Sequence, residues 1–188
     1  MQTPIRILGK GPRMVSVIKY GRSTRRRHLL SNPNSEYDVS LRPCTLGDIN
    51  QVRTIELESF PDPYSTITFV EFLMRARRGF IVGCIGDSVV GYVIGTSRMS
   101  DGIIQSMAVA SGFRRRGVGK MLVGAIIDHL SKRRRRISLL VDARNEAAVR
   151  LYRRFNFAET DRVVKAYYPN GNDAIEMRWD SDSDYAPQ

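Results

Sequence analysis

Apolar positions along this chain change their period several times, and each change marks a predicted element. Through residue 37 the chain mixes Gly, Pro, Ser, Asn and Arg with little periodicity. That pattern predicts a disordered extension over residues 1–37, with at most a short extended piece at Met14–Lys19, and Met14 is a second candidate initiator. The ordered domain is expected over residues 38–180. Val39 and Leu41 alternate with polar neighbours as a first strand ended by Pro43. Thr45-Leu-Gly-Asp48 reads as a capping box, followed by Ile49, Val52 and Ile55 on one helical face. Two prolines in Phe60-Pro-Asp-Pro-Tyr64 stop that helix. A second helix carries Phe69, Phe72 and Leu73 and ends in Arg75–Arg78. Phe80–Ile85 and Val89–Thr96 are β-rich runs joined as a hairpin at Gly86-Asp87-Ser88. Asp101-Gly102 turns into a central strand, Ile103 to Ala110, and a helix then opens at Gly117 and Gly119 with Val118, Leu122, Ile126 and Leu130 on its buried side. Ile137–Val141 reads as a buried strand. Asn145 opens a last helix with Ala148, Leu151, Tyr152 and Phe155 on one face, and Val163–Ala166 pairs with Ala174–Trp179 around Pro169-Asn-Gly-Asn172. The acidic end, residues 181–188, is expected to fray. The order β-α-α-β-β-β-α-β-α-β-β predicts an α+β fold, a mixed sheet with about four helices divided between its faces and no internal repeat.

Composition narrows the class. The chain has 188 residues, 42% of them apolar, enough for one real core. No apolar run approaches the ~20 residues of a membrane span. Met14 to Ile18 is too short for the apolar region of a signal peptide, so a cytoplasmic location is expected. Cys44 and Cys84 stand far apart, which argues against a disulfide scaffold, and with His28 and His129 equally scattered no metal site is expected. The formal charge of +11 is unevenly spread. Residues 1–37 hold eight basic side chains and one acidic, and residues 112–154 hold thirteen basic and three acidic. Both stretches suit a polyanionic ligand or partner. A solvated arm explains the first at least as well as a ribosome or RNA contact.

The second basic stretch has a chemical reading. Between the central strand and the next helix lies Arg114-Arg-Arg-Gly117-Val-Gly119-Lys120. Glycines let backbone amides close around an anion, and the first helical turn aims its unpaired N–H groups and positive dipole end at the same place. The stretch can therefore cradle a pyrophosphate, although a tight turn with solvated arginines is the commoner meaning of such a run alone. A Walker loop is excluded. It needs Gly where Arg114 stands and a hydroxyl where Met121 stands. A dinucleotide fingerprint is excluded by Leu122 in place of its third glycine.

What remains, Arg114-x-x-Gly117-x-Gly119, resembles the acetyl-coenzyme A signature of the GNAT superfamily of N-acetyltransferases. Asn145-Glu-Ala-Ala-Val-Arg-Leu-Tyr-Arg-Arg-Phe-Asn-Phe157 is similar to the N-x-x-A-x-x-L-Y-x-x-x-G/N-F segment of its N-terminal acetyltransferases. Ser106–Val109 resembles their central strand, and Phe60-Pro-Asp-Pro-Tyr64 their L/F-P-x-x-Y loop. Tyr167-Tyr168 before an Asn-Gly turn resembles their substrate hairpin. The resemblance covers about residues 38–180 and extends to ribosomal-protein alanine N-acetyltransferases and archaeal N-terminal acetyltransferases.

The resemblance implies transfer of an acetyl group from acetyl-CoA directly to the α-amine of a protein or peptide, a ribosomal protein or nascent chain, in a ternary complex. Met107, Ala108 and Val109 would orient the cofactor by backbone groups and a small side chain. Arg114, Arg115, Arg116, Gly117, Val118, Gly119 and Lys120 would hold its phosphates. Asn145 could bond it or simply cap its helix. Tyr152, a phenol protonated at neutral pH, would be the general acid for the leaving thiolate; otherwise it is an aromatic at the edge of the core. Relatives often place Glu or His where Leu140 stands. Candidate bases are therefore Asp62, ranked first, then Asp142, Asp101 or a water relay. Phe60, Pro61, Tyr64, Tyr167 and Tyr168 would wall the acceptor slot. A lysine or small-amine acetyltransferase is the alternative, and a ribosome- or RNA-associated module on the same scaffold is an alternative of another class.

Overall fold

The structure is a computed structural model and describes residues 5–6, 38–98 and 100–181. The extended piece expected at Met14–Lys19 and the acidic end beyond Ser181 lie outside them. The strands are β1 (Ile5–Arg6), β2 (Ser40–Pro43), β3 (Phe80–Ile85), β4 (Ser88–Arg98), β5 (Asp101–Val109), β6 (Arg136–Asp142), β7 (Ala158–Val164) and β8 (Ala174–Asp180). The helices among the described residues are α1 (Ile49–Ser59), α2 (Thr66–Ala76), α3 (Val118–Ser131) and α4 (Glu146–Arg153), with short 3-10 turns at Leu46–Asp48, Arg77–Gly79 and Ser111–Phe113. The sheet runs β2-β3-β4-β5-β6-β8-β7, antiparallel except for β5 beside β6, with β1 paired to β5.

Two apolar clusters lie on opposite faces, as strand alternation requires. Val82, Tyr92 and Ala108 join Val52, Ile55 and Phe69 of α1 and α2 on one face. Ile81, Val93 and Met107 join Leu122, Ile126, Val149 and Tyr152 of α3 and α4 on the other. The backbone of β4 comes close under α3, since a Cβ on Gly95 would lie 2.5 Å from Ile126 Cδ1. Ahead of α1, Asp48 accepts both Arg42 guanidinium nitrogens at 2.6 and 2.7 Å, and the Thr45 amide and hydroxyl at 2.7 Å each. The Thr45–Asp48 cap expected from sequence is therefore present, with an arginine added to it.

Two features of β5 shape the site. Ile94 pairs with Ser106 and Gly95 with Ile104, so Gln105 is the extra residue of a bulge, and its side-chain Nε2 donates to Thr96 Oγ1 at 2.8 Å. Parallel pairing with β6 covers Asp101, Gly102 and Ile103. Beyond Ile103 the two strands separate towards their C-terminal ends, leaving an edge of β5 open to another extended chain. Ile5–Arg6 pairs there, with Ile5 across from Met107 and Arg6 from Ser106.

Several expected boundaries move. The strand read at Val163–Ala166 is instead Ala158–Val164, and Ala166 lies in the following turn with φ of 47°. An edge strand with both faces largely solvated has no reason to alternate, so Ala158–Asp161 gave no strand signal. The last helix ends at Arg153, which puts Phe155 beyond it, half-buried with its ring 3.5 Å from where a Cβ on Gly124 would be. Asp101 is the first residue of the central strand rather than a turn residue ahead of it. The second helix stops at Ala76, short of Arg78.

Candidate active site

The open end of the β5/β6 separation faces the start of α3 and one side of α4. Val109 leads through the Ser111–Phe113 turn to Gly117, which caps α3 at φ of 84°, a left-handed conformation costly for any residue with a β-carbon. On the other side, Asn145 caps α4 by accepting the Ala148 amide on Oδ1 at 3.2 Å. Asn156 ends that helix region at φ of 64°, which accounts for the Gly-or-Asn preference at this place in the resembling segment.

Between them lies a cleft of about 520 Å³. Met107, Ala108 and Val109 form its floor, and Arg115, Gly117, Gly119, Lys120 and Asn145, all named as cofactor residues from the sequence, stand around it. Its α4 wall adds Ala147, Ala148, Arg150, Leu151 and Arg154. Arg150 and Arg154 went unnoticed in sequence, although their spacing of four places them on one helical face. Among the described residues, no carboxylate lines the cleft. Arg150 is paired outward with Glu146 at 2.8 Å.

Three predicted cofactor residues are placed differently. Arg114 reaches the cleft wall, but its Nε donates to the Val109 carbonyl at 3.0 Å and its Nη2 to Ser59 Oγ at 3.3 Å. It ties the loop to the end of α1, so its side chain braces the cradle. Arg116 lies with its guanidinium carbon 5.7 Å from the centre of the Phe113 ring, off the cleft lining. Val118 is 1% exposed and packs in the core, so its part in the cradle can be played by its backbone alone.

Tyr152 does not line the cleft either. It is completely buried, edge-on to Phe157 with ring centres 5.4 Å apart. Its hydroxyl has no hydrogen-bond partner among the described residues. Burial, and then the nearby Tyr168 phenol, push its pKa well above the ordinary tyrosine value. The phenol therefore keeps its proton and is a donor without an acceptor. A buried O–H in that state is costly, and a ligand bringing an acceptor to this point would relieve it. The cationic cleft, the helix N-terminus and this orphaned hydroxyl suit a polyphosphate carrying an acyl thioester.

On the opposite side of the sheet, the Phe60–Tyr64 loop joins α1 to α2. Phe60 and Tyr64 are mostly buried there, Tyr64 against the rings of Phe69 and Phe72 at 6.0 and 5.5 Å, whereas Pro61 and Asp62 are exposed. Tyr167 and Tyr168 meet at right angles with centres 5.1 Å apart, and Tyr168 is packed with Leu140 and Ala174. That hairpin is tied down by Asp142, which is 1% exposed and accepts Asn172 Nδ2 and the Arg144 amide, both at 2.8 Å. Asp101 pairs with Arg136 at 3.3 Å at the beginning of β5. Eight residues of strand, about 26 Å, separate it from Val109.

Comparison with known proteins agrees with this geometry. Residues 49–157 match the acetyltransferase (GNAT) family model. The chain is similar to an N-alpha-acetyltransferase of Saccharolobus solfataricus, 30% identical over 79% of this chain and 96% of that protein. It is also similar to an N-alpha-acetyltransferase of Sulfolobus acidocaldarius, 33% identical over 74% of this chain and 91% of the relative. Among solved structures, Ard1 from Thermoplasma volcanium superposes with a TM-score of 0.72 at 26% identity, over 76% of this chain and 97% of that one. With the family model covering more than half of its residues and these relatives aligned almost end to end, the chain belongs to the GNAT acetyltransferase family.

Proposed function

We propose that this chain is an N-terminal protein acetyltransferase, moving the acetyl group of acetyl-CoA to the α-amine of a protein or peptide within a ternary complex. The observation that carries the reading is the cationic cleft at the parting of β5 and β6, walled by the same helix, α4, that carries the unpartnered Tyr152 hydroxyl. It occurs in a chain that aligns over nine-tenths of the length of N-alpha-acetyltransferases. When bound, acetyl-CoA supplies the activated acetyl thioester. Arg115, Lys120, Arg150 and Arg154 hold its phosphates, with the backbone amides from Gly117 through Gly119. The C-terminal end of β5 at Met107–Val109, where Val109 lies beyond the pairing with Ile5–Arg6, orients the acyl arm and offers backbone N–H to the carbonyl.

Tyr152 acts as a hydrogen-bond donor to the sulfur. Its raised pKa stands above the ~8.5 of a thiol, so it stabilises a leaving thiolate by hydrogen bonding, and full proton delivery would be uphill. Asp62, on the exposed acceptor loop, takes the proton of the α-ammonium directly or through water. Little help is needed, because an α-amine titrates near ~8 whereas lysine titrates near ~10.4. The acceptor slot lies between the Phe60–Tyr64 loop and the Tyr167–Tyr168 hairpin. The basic residues 1–37 give the chain an electrostatic handle for the ribosome, where its substrates emerge.

The test is incubation with acetyl-CoA and two peptide sets read by mass spectrometry. One set has a free α-amine and no lysine; the other has a blocked N-terminus and an internal lysine. Acetylation of the first set alone is expected. Acetylation confined to the second overturns the α-amine reading in favour of a lysine acetyltransferase.

A further inference from the structure

On the α1/α2 face lies a fully buried carboxylate that the roles above do not use. Glu56, on the last turns of α1, has no exposed surface. Such a group is tolerated in the interior only where it is hydrogen-bonded. Its Oε1 accepts the backbone N–H of Tyr64 at 2.8 Å, and its Oε2 accepts the hydroxyl of Tyr92. The Tyr92 oxygen lies 3.0 Å from Ser106 Oγ, and Tyr92 and Ser106 are themselves fully buried. Tyr92 has one proton and gives it to the carboxylate, so Ser106 is the donor in the second contact. Burial, reinforced by the charge of Glu56, keeps the Tyr92 phenol protonated.

The two ends of this chain of hydrogen bonds fall on the two halves of the site. Tyr64 closes the Phe60–Tyr64 loop. Pro61 and Pro63 within that loop have no N–H of their own with which to fix it. Ser106 immediately follows the bulged Gln105 and precedes Met107 in the stretch of β5 that floors the cofactor cleft. We propose that Glu56, acting through Tyr92, is a positioning residue that holds the acceptor loop in register with the cofactor strand. The proposal rests on the Phe60–Tyr64 loop being a wall of the acceptor slot.

The test compares Glu56→Ala, Glu56→Gln and Tyr92→Phe with the wild type. Peptide KM, coenzyme A affinity, melting temperature and amide exchange at Tyr64 are measured for each. Losing a hydrogen bond to a buried charge predicts a rise of about tenfold or more in peptide KM for Glu56→Ala, with coenzyme A affinity unchanged within about twofold. Glu56→Gln keeps an oxygen for the Tyr64 amide and should recover most of the loss. Tyr92→Phe should raise peptide KM while Tyr64 stays protected from exchange. A merely structural role would lower the melting temperature and the active fraction without moving KM. Unchanged peptide KM in Glu56→Ala, or equal losses of peptide and coenzyme A affinity, would overturn the proposal. Exchange at Tyr64 decides the clamp without turnover: faster exchange in Glu56→Ala with α3 still protected supports it, and unaltered exchange refutes it. A wild type that acetylates no peptide α-amine would instead refute the substrate reading.

Discussion

Tyr152→Phe separates stability from catalysis in this chain because the two effects have opposite signs. The hydroxyl is wholly buried and finds no partner among the described residues. An unsatisfied buried polar group costs about 1–3 kcal/mol, and phenylalanine removes it while keeping the ring stacked edge-on to Phe157. For a protein of this size that gain raises Tm by about 2 to 10 °C. In turnover the same hydroxyl stabilises a leaving thiolate, and a hydrogen bond to a charged group is worth about 1.5–3 kcal/mol, or about 10- to 150-fold in kcat. Coenzyme A affinity should change less than about twofold, since the phenol does not line the phosphate-holding cleft. Differential scanning fluorimetry, thiol release under saturating peptide and calorimetric titration read the three quantities. A Tm that falls by several degrees would mean that the hydroxyl is partnered in the native protein. An unchanged kcat would remove Tyr152 from the chemistry.

Further outcomes follow from the same geometry. Asp62→Asn should lower kcat about tenfold at pH 7, and the deficit should shrink by pH 9, where an α-amine with pKa ~8 is already free; a deficit independent of pH would argue against proton transfer to Asp62. Lys120→Glu should weaken coenzyme A binding by tenfold or more in a salt-dependent way, whereas Arg116→Ala, at the Phe113 ring, should leave calorimetric affinity within about twofold. Removing residues 1–6 frees the edge of β5 that Ile5–Arg6 pairs with, so coenzyme A affinity should tighten by up to about fivefold, and a loss of affinity would mean the segment supports the site. The Arg42 guanidinium holds the Asp48 carboxyl down at about 2 from the ordinary 3.8. The Arg42 ion pair and the Thr45 hydrogen bonds together therefore add on the order of 1 kcal/mol of stability above pH 4, after solvent screening of the half-exposed arginine, that is lost as pH falls from 4 to 2. Asp48→Asn should flatten that part of a urea-unfolding profile.

The parts of the site legible in sequence are those fixed by local rules. Gly117 and Gly119 had to open a helix after a strand, Asn145 had to cap one, and Tyr152 had to share a buried face with Ala148. Illegible were the choices made by tertiary packing. Arg114 heads the phosphate motif, yet the end of α1 offers it Ser59, and it turns inward. Glu56 sits between Ile55 and Leu57, and in sequence nothing distinguishes it from the exposed Glu58; the hydroxyl of Tyr92, thirty-six residues away, makes it a buried anchor. The bulge at Gln105 leaves no local mark because its cause is the register with β4. The first part of β7, Ala158–Asp161, escaped because an edge strand needs no alternation.

The central claim is that the cleft between β5, the start of α3 and α4 holds the phosphates of an acetyl donor. Calorimetric titration of the full chain with coenzyme A tests it most directly. One saturable site is expected, weakened by Lys120→Glu and by added salt. No heat at millimolar coenzyme A, or binding indifferent to both changes, would contradict the account.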